Sequence, residues 1–121
     1  MSGRTRGTVL VVEDNPDWSN LLRRRLEDCG YEVWTCEDGA RALEHLRWHA
    51  PPDALVLDLG LPGLGGGAIL REVRADPELD WLPVVVVTGR EVQEGLGADR
   101  VFRKPVAPAA VVEVVRQLAV R

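Results

Sequence analysis

An α/β fold is predicted for this chain: a doubly wound, five-stranded parallel sheet with helices on both faces. Three observations predict it. Short unbroken runs of apolar, mostly β-branched residues recur along the sequence, as strands buried on both faces require. Stretches with helical spacing of apolar residues alternate with those runs from one end to the other. Gly and Pro mark the boundaries, and no linker, repeat or low-complexity tract interrupts the alternation.

Residues 8–12 (TVLVV) form the first expected strand. A helix over 16–29 follows, with Asn15 as N-cap, Pro16 in the first turn, Leu22 and Leu26 inward, and Gly30 as its stop. Residues 31–36 read as the second strand, with Val33 as its most secure core residue. Asp38 caps a helix from Gly39 to about His49, with Ala42, Leu43 and Leu46 facing inward until Pro51 and Pro52 end it. The third strand is 54–58 (ALVLD), followed by a glycine-rich turn over 60–67 and a helix over about 68–75 carrying Ile69, Leu70 and Val73. The fourth strand, 83–88 (PVVVVT), is the most hydrophobic. Residues 89–99 contain three glycines and leave room for one or two helical turns around 91–96, a shortened fourth helix. A short fifth strand at 100–103 and a closing helix over 108–120, with Val111, Val115 and Leu118 inward, complete the pattern.

The 121 residues suit one domain, expected over 8–121 behind a flexible N-terminus at 1–7. A 45% hydrophobic and 28% charged composition is that of a folded globular chain. No apolar run approaches the roughly 20 residues of a membrane span, and nothing resembles a signal peptide, so a cytoplasmic protein is expected. Cys29 and Cys36 are too few for a disulfide framework and are expected as free thiols. The net charge of −4 argues against nucleic-acid binding, and Arg23, Arg24 and Arg25 read as a solvated helix face. Of the 15 basic residues only one is lysine, Lys104.

In an open parallel sheet, ligands bind at the carboxyl ends of the strands. Glu13 and Asp14 follow the first strand, Asp58 ends the third, Thr88 ends the fourth, and Lys104 follows the fifth. Crowded carboxylates repel one another unless positive charge offsets them. A hard divalent cation such as Mg²⁺, which accepts carboxylates, a carbonyl and water, is the natural answer. An anionic group beside that cation would meet Lys104 and Thr88 as well, the arrangement that stabilises transferring phosphoryl oxygens. The accepting carboxylate belongs on the central strand, which makes it Asp58.

The motifs VVEDN (11–15), LVLDLGLPGLGG (55–66), VVVTG (85–89) and GADRVFRKPV (97–106) together make the chain similar to the receiver domain of two-component response regulators. The resemblance runs from Thr8 to Leu118. It implies the flavodoxin-like (βα)5 receiver fold and a phosphorylation-dependent signalling switch. In such a switch, a histidine kinase or a histidine phosphotransfer protein donates the phosphoryl group to Asp58. It further implies that Glu13, Asp14, Asp58 and the carbonyl of Gly60 hold Mg²⁺, that Thr88 and Lys104 contact the phosphoryl group, and that the Lys104–Pro105 bond is cis. No enzymatic role is expected beyond the domain's own phosphorylation and dephosphorylation. A downstream protein partner is implied, with no direct contact to nucleic acid or membrane. Both a single-domain regulator and a receiver from a larger protein, such as a hybrid kinase, fit the sequence.

Several residues have plainer readings. The glycine run lacks the Lys-Ser/Thr of a phosphate-binding loop and reads as turn flexibility, and Gly65 stands where many receivers carry an acidic residue. Trp18, Trp34, Trp48 and Trp81 are expected in core or helix–sheet packing, with Trp18 nearest the acidic edge, where related receivers dock their phosphodonor. His45 and His49 at i, i+4 lack a third ligand and are expected to face solvent. A phosphate-independent interaction module is disfavoured by the intact acidic set. A phosphatase is disfavoured because the position two after Asp58, where a second catalytic acid would stand, is Gly60. Gly60 and Arg90 flank the site and are the positions expected to bear on phosphate lifetime.

Two departures from the family bear on output. The aromatic residue three positions before the lysine is replaced by Val101, and Phe102 has the opposite strand parity. Only 16 positions separate Thr88 from Lys104, which shortens the fourth helix and its loops. In the family, the fourth helix, fifth strand and fifth helix build a common partner-binding face; here phosphorylation is expected to be ordinary and the conventional aromatic switch absent. Lys104→Arg is expected to preserve charge and folding yet weaken signalling, because a planar guanidinium needs more room than an ammonium.

Overall fold

A computed structural model describes residues 6–92 and 95–119. In chain order the elements are β1 (Gly7–Val12), α1 (Pro16–Asp28), β2 (Tyr31–Cys36), α2 (Gly39–Trp48), β3 (Ala54–Leu57), α3 (Gly66–Ala75), β4 (Val84–Thr88), β5 (Arg100–Arg103) and α4 (Pro108–Leu118). All strand pairs are parallel, in the order β2-β1-β3-β4-β5. The α/β fold with a five-stranded parallel sheet is as the sequence predicts. Of the expected flexible N-terminus, Met1–Thr5 lie outside the described residues. The Arg6 N–H already donates to Gly30 O at 2.8 Å, and Gly7 opens β1.

Strand parity sorts the core into two layers. Val9, Val11, Val56, Val85 and Val87 point to one face, where Leu22 and Leu26 of α1 and Val111 and Val115 of α4 cover them. Leu10, Val12, Leu55, Leu57, Val84 and Val86 point to the other, under Ala42 and Leu46 of α2 and Ile69, Leu70 and Val73 of α3. With both faces covered, β1, β3 and β4 can be apolar at nearly every position.

The chain leaves β1 toward β2 on one side and returns to place β3 on the other. The topological switch point therefore lies between the carboxyl ends of β1 and β3. Helix caps hold the loops there: Asn15 Oδ1 accepts the N–H groups of Asp17 (3.0 Å) and Trp18 (3.2 Å), and Asp38 Oδ1 accepts that of Arg41 at 2.8 Å.

Several expectations are corrected. None of the described residues between Thr88 and Arg100 is helical; Gln93 and Glu94 lie outside the described residues. The eleven-residue connection is short, and Gly95 and Gly97 sit at φ 79° and 90°, left-handed conformations that a right-handed helix excludes. The helix α3 begins at Gly66, two residues earlier than expected. In β2 the buried side chain is Tyr31, while Val33 is only half-buried, because β2 is an edge strand.

The tryptophans differ most from expectation. Trp34 and Trp81 are about half exposed and Trp48 is 78% exposed. The Trp81 indole N–H instead donates to Glu78 O at 2.7 Å. His45 is half-buried rather than solvent-facing, stacked on His49 with ring centroids 4.4 Å apart and 5.5 Å from the Trp34 ring. Cys29 and Cys36 are free thiols.

Candidate functional site

Backbone pairing just past the strand ends places the acidic edge. The Glu13 N–H donates to Cys36 O of β2 at 3.0 Å, and the Asp58 N–H to Val12 O of β1 at 3.0 Å. The Lys104 N–H donates to Thr88 O of β4 at 2.9 Å. Each residue is thus the first step beyond a strand, still held by the neighbouring strand's last carbonyl. The side chains consequently face one crevice at the switch point. Glu13, Asp58 and Thr88 are buried, whereas Asp14 is exposed.

One carboxylate oxygen from each of Glu13, Asp14 and Asp58 lies within 4.8 Å of the others. The Lys104 ammonium bonds Glu13 Oε1 and stands 3.7 Å from Asp58 Oδ2. The second oxygen of Glu13 accepts the Asn15 N–H at 3.0 Å. The Glu13 carboxyl is pushed above its ordinary value of 4.5, chiefly by burial, with Lys104 and the Asn15 N–H opposing and Asp14 and Asp58 reinforcing the rise. One ammonium among three carboxylates leaves an electrostatic deficit that a hard, oxygen-loving divalent cation would fill. The donor set therefore fits such an ion.

Asp58 is 8% exposed, and its Oδ1 accepts the Gly60 N–H at 2.9 Å. Gly60 thus sits against the carboxylate, as the sequence places it. Thr88 closes the β4 end, and its Oγ1 accepts the Arg90 N–H at 3.2 Å. The Arg90 side chain reaches over the same opening: a Cβ built on Gly60 would lie 3.5 Å from Arg90 Nε. The Lys104–Pro105 bond is cis, as the resemblance implies.

Two close contacts at the site were not legible in the sequence. A Cβ on Gly66 would lie 2.3 Å from Asp58 O and 2.8 Å from Leu59 Cα, so α3 packs against the β3 end only because this residue has no side chain. The run of glycines at 60–67 gives no sign of which member makes that approach. The second joins Lys104 to Trp18, the tryptophan that the sequence places nearest the acidic edge: the ring centroid is 5.1 Å from Lys104 Nζ. On β5, Val101 is 40% exposed and Phe102 packs against the α1/α4 side of the core, the opposite parities that alternation requires.

The comparisons with known proteins agree with this geometry. The family pattern of the response regulator receiver domain matches residues 9–116. The sensor histidine kinase TmoS of Ectopseudomonas mendocina is 40% identical over 82 residues, which is 68% of this chain and 8% of the kinase. The polar-differentiation response regulator DivK of Brucella anthropi is 29% identical over 116 residues, 90% of this chain and 93% of DivK. Among solved structures, the receiver domain of sensor histidine kinase PA1611 from Pseudomonas aeruginosa PAO1 has a magnesium ion coordinated in its active-site cleft. It superposes with a TM-score of 0.83 at 26% identity, covering 93% of this chain and 97% of that one. The chain therefore belongs to the response regulator receiver domain family, the phosphorylation-dependent switches of two-component signalling.

Proposed function

We propose that Asp58 is the phosphoacceptor of this receiver and that Glu13, Asp14, Asp58 and the carbonyl of Gly60 hold Mg²⁺ beside it. The observation that carries this reading is the meeting of three carboxylates and the Lys104 ammonium at the switch point, with Asp58 at the end of the central strand. When bound, Mg²⁺ supplies positive charge to phosphoryl oxygens. An Asp58 carboxylate oxygen attacks the phosphorus of a phosphohistidine, an O–P bond forms, and the P–N bond breaks with its electron pair returning to the imidazole. Lys104 and Thr88 stabilise the charge on the transferred group. The domain catalyses only this acquisition and the later hydrolytic loss of its own phosphate.

The donor in this reading is a histidine kinase or histidine phosphotransfer protein, and the output is altered binding to a downstream protein. The free thiols of Cys29 and Cys36 fit the reducing cytoplasm, where we place the domain. No helix among the described residues is long and apolar enough to cross a membrane. The kinase and DivK matches support two settings equally, a module of a larger protein and a single-domain regulator.

The test is intact mass after incubation with Mg²⁺ and phosphoramidate. The reading requires one phosphoryl addition that Asp58→Asn abolishes. No addition would favour a phosphate-independent interaction module, and rapid turnover of many equivalents of donor would favour a phosphatase.

A further inference from the structure

We propose that Trp18 is a positioning residue for Lys104: its indole face holds the ammonium beside Asp58. This rests on the reading of Asp58 as phosphoacceptor and adds a residue to that machinery. The Lys104 Nζ lies 5.1 Å from the ring centroid, inside the roughly 6 Å reach of a cation–π contact, and tryptophan offers the strongest such face.

The ring is held from behind. Trp18 is half-buried and packs against the core layer between α1, the sheet and α4. Its backbone N–H donates to Asn15 Oδ1 at 3.2 Å, and the Asn15 N–H donates in turn to Glu13 Oε2 at 3.0 Å. Glu13 Oε1 accepts from Lys104 Nζ, so Glu13, Asn15, Trp18 and Lys104 close a ring of contacts around the ammonium. One capping asparagine thereby sets both the carboxylate and the aromatic face that Lys104 meets.

The chemistry gives the indole a role that the carboxylates cannot fill. Both carboxylate neighbours of Lys104, Glu13 and Asp58, belong to the cluster that fits a divalent cation. Oxygens engaged by a cation attract an ammonium less. The indole face is a partner for which no metal ion competes. A four-carbon stem released from its carboxylates has many rotamers, and the fixed face restricts them near Asp58. A guanidinium would stack flat on the same ring and point its donors elsewhere, which gives the lysine at this one position a physical reason.

The single lysine makes the test direct. The protein is labelled with ¹³C at the lysine ε-carbon, giving one ε-methylene resonance, and is observed without phosphodonor, before and after Mg²⁺. The proposal requires that resonance to be ring-current shifted upfield in the wild type, to reach the free-lysine position in Trp18→Leu, and to lie between in Trp18→Phe. It also requires phosphoramidate to label Trp18→Leu about threefold to tenfold more slowly than wild type, with Trp18→Phe partly restored. An ε-methylene shift equal in wild type and Trp18→Leu, or wild-type labelling of the leucine variant, would overturn it. A wild type that takes no phosphate would overturn the phosphoacceptor reading instead, while the resonance still decides where Lys104 sits.

Discussion

The guanidinium of Arg74, on α3, meets the carboxylate of Asp99, just before β5, with Nη2 3.0 Å from Oδ2. The same guanidinium donates to Gly97 O at 2.8 Å, Asp80 O at 2.9 Å and Leu82 O at 2.8 Å. Asp99 Oδ2 also accepts the Val84 N–H at 2.7 Å. One arginine thus ties two connections to α3: the one before β4, through Asp80 O and Leu82 O, and the shortened one between β4 and β5, through Gly97 O and Asp99.

Arg74→Met should therefore cost about 2–3 kcal/mol, since several charge-assisted bonds to backbone carbonyls are lost and the carbonyls keep only partial access to water. Asp99→Asn, which retains an acceptor for Val84, should cost about 1 kcal/mol. Urea denaturation of the two variants checks the order, and equal losses would contradict the account of Arg74 as the clamp.

Adjacent glycines should behave oppositely. Gly66→Ala places a methyl 2.3 Å from Asp58 O and should destabilise by about 1–3 kcal/mol, with slower phosphorylation because the shift falls on the Asp58 backbone. Nothing lies within 4 Å of a Cβ on Gly67, also in α3, so Gly67→Ala should stabilise by about 0.5–1 kcal/mol. Thermal unfolding of the pair decides it; matching effects would remove the close-approach argument.

Strand parity on β5 makes a similar contrast. Phe102→Ala uncovers core packing and should cost about 1–3 kcal/mol, whereas Val101→Ala, on the exposed side, should stay within about 0.5 kcal/mol. Chemical denaturation measures both, and a larger loss at Val101 would reverse the assignment of faces.

The His45–His49 stack gives a pH dependence. Burial first, and His49 second, hold the His45 imidazolium below its ordinary value of 6.5. Between the folded and ordinary values the unfolded chain binds more protons, so stability rises with pH there. The contribution is complete above 6.5 and is lost as pH falls through the folded value. His45→Gln should flatten this part of the stability curve, measured by urea denaturation from pH 5 to 7.5; an unchanged slope would remove His45 as its source.

Much of this was legible in the residues. Runs such as VLVV and VVVV mark strands covered on both faces, and the site residues stand at or just past the ends of β1, β3, β4 and β5. Asn15 and Asp38 announce their helices by their side-chain acceptors. What stayed hidden depends on partners distant in sequence. Hydrophobicity alone puts tryptophan inside, yet Trp48 lies on the outer face of α2 and Trp34 on an edge strand. Arg74 looks like any helix-surface arginine until the β4–β5 connection is folded against it. The pairing of Trp18 with Lys104 likewise exists only once β5 brings the lysine beside α1.

Asp58 is expected to accept the phosphoryl group, and trapping the acyl phosphate is the direct test. After phosphorylation with Mg²⁺ and phosphoramidate, borohydride reduction converts a phosphorylated aspartate to homoserine, and peptide mass mapping locates the change. Homoserine is expected at position 58, absent without Mg²⁺ and absent when the donor is omitted. Reduction at Asp14 or another carboxylate, or none in a protein that still binds Mg²⁺, would contradict it.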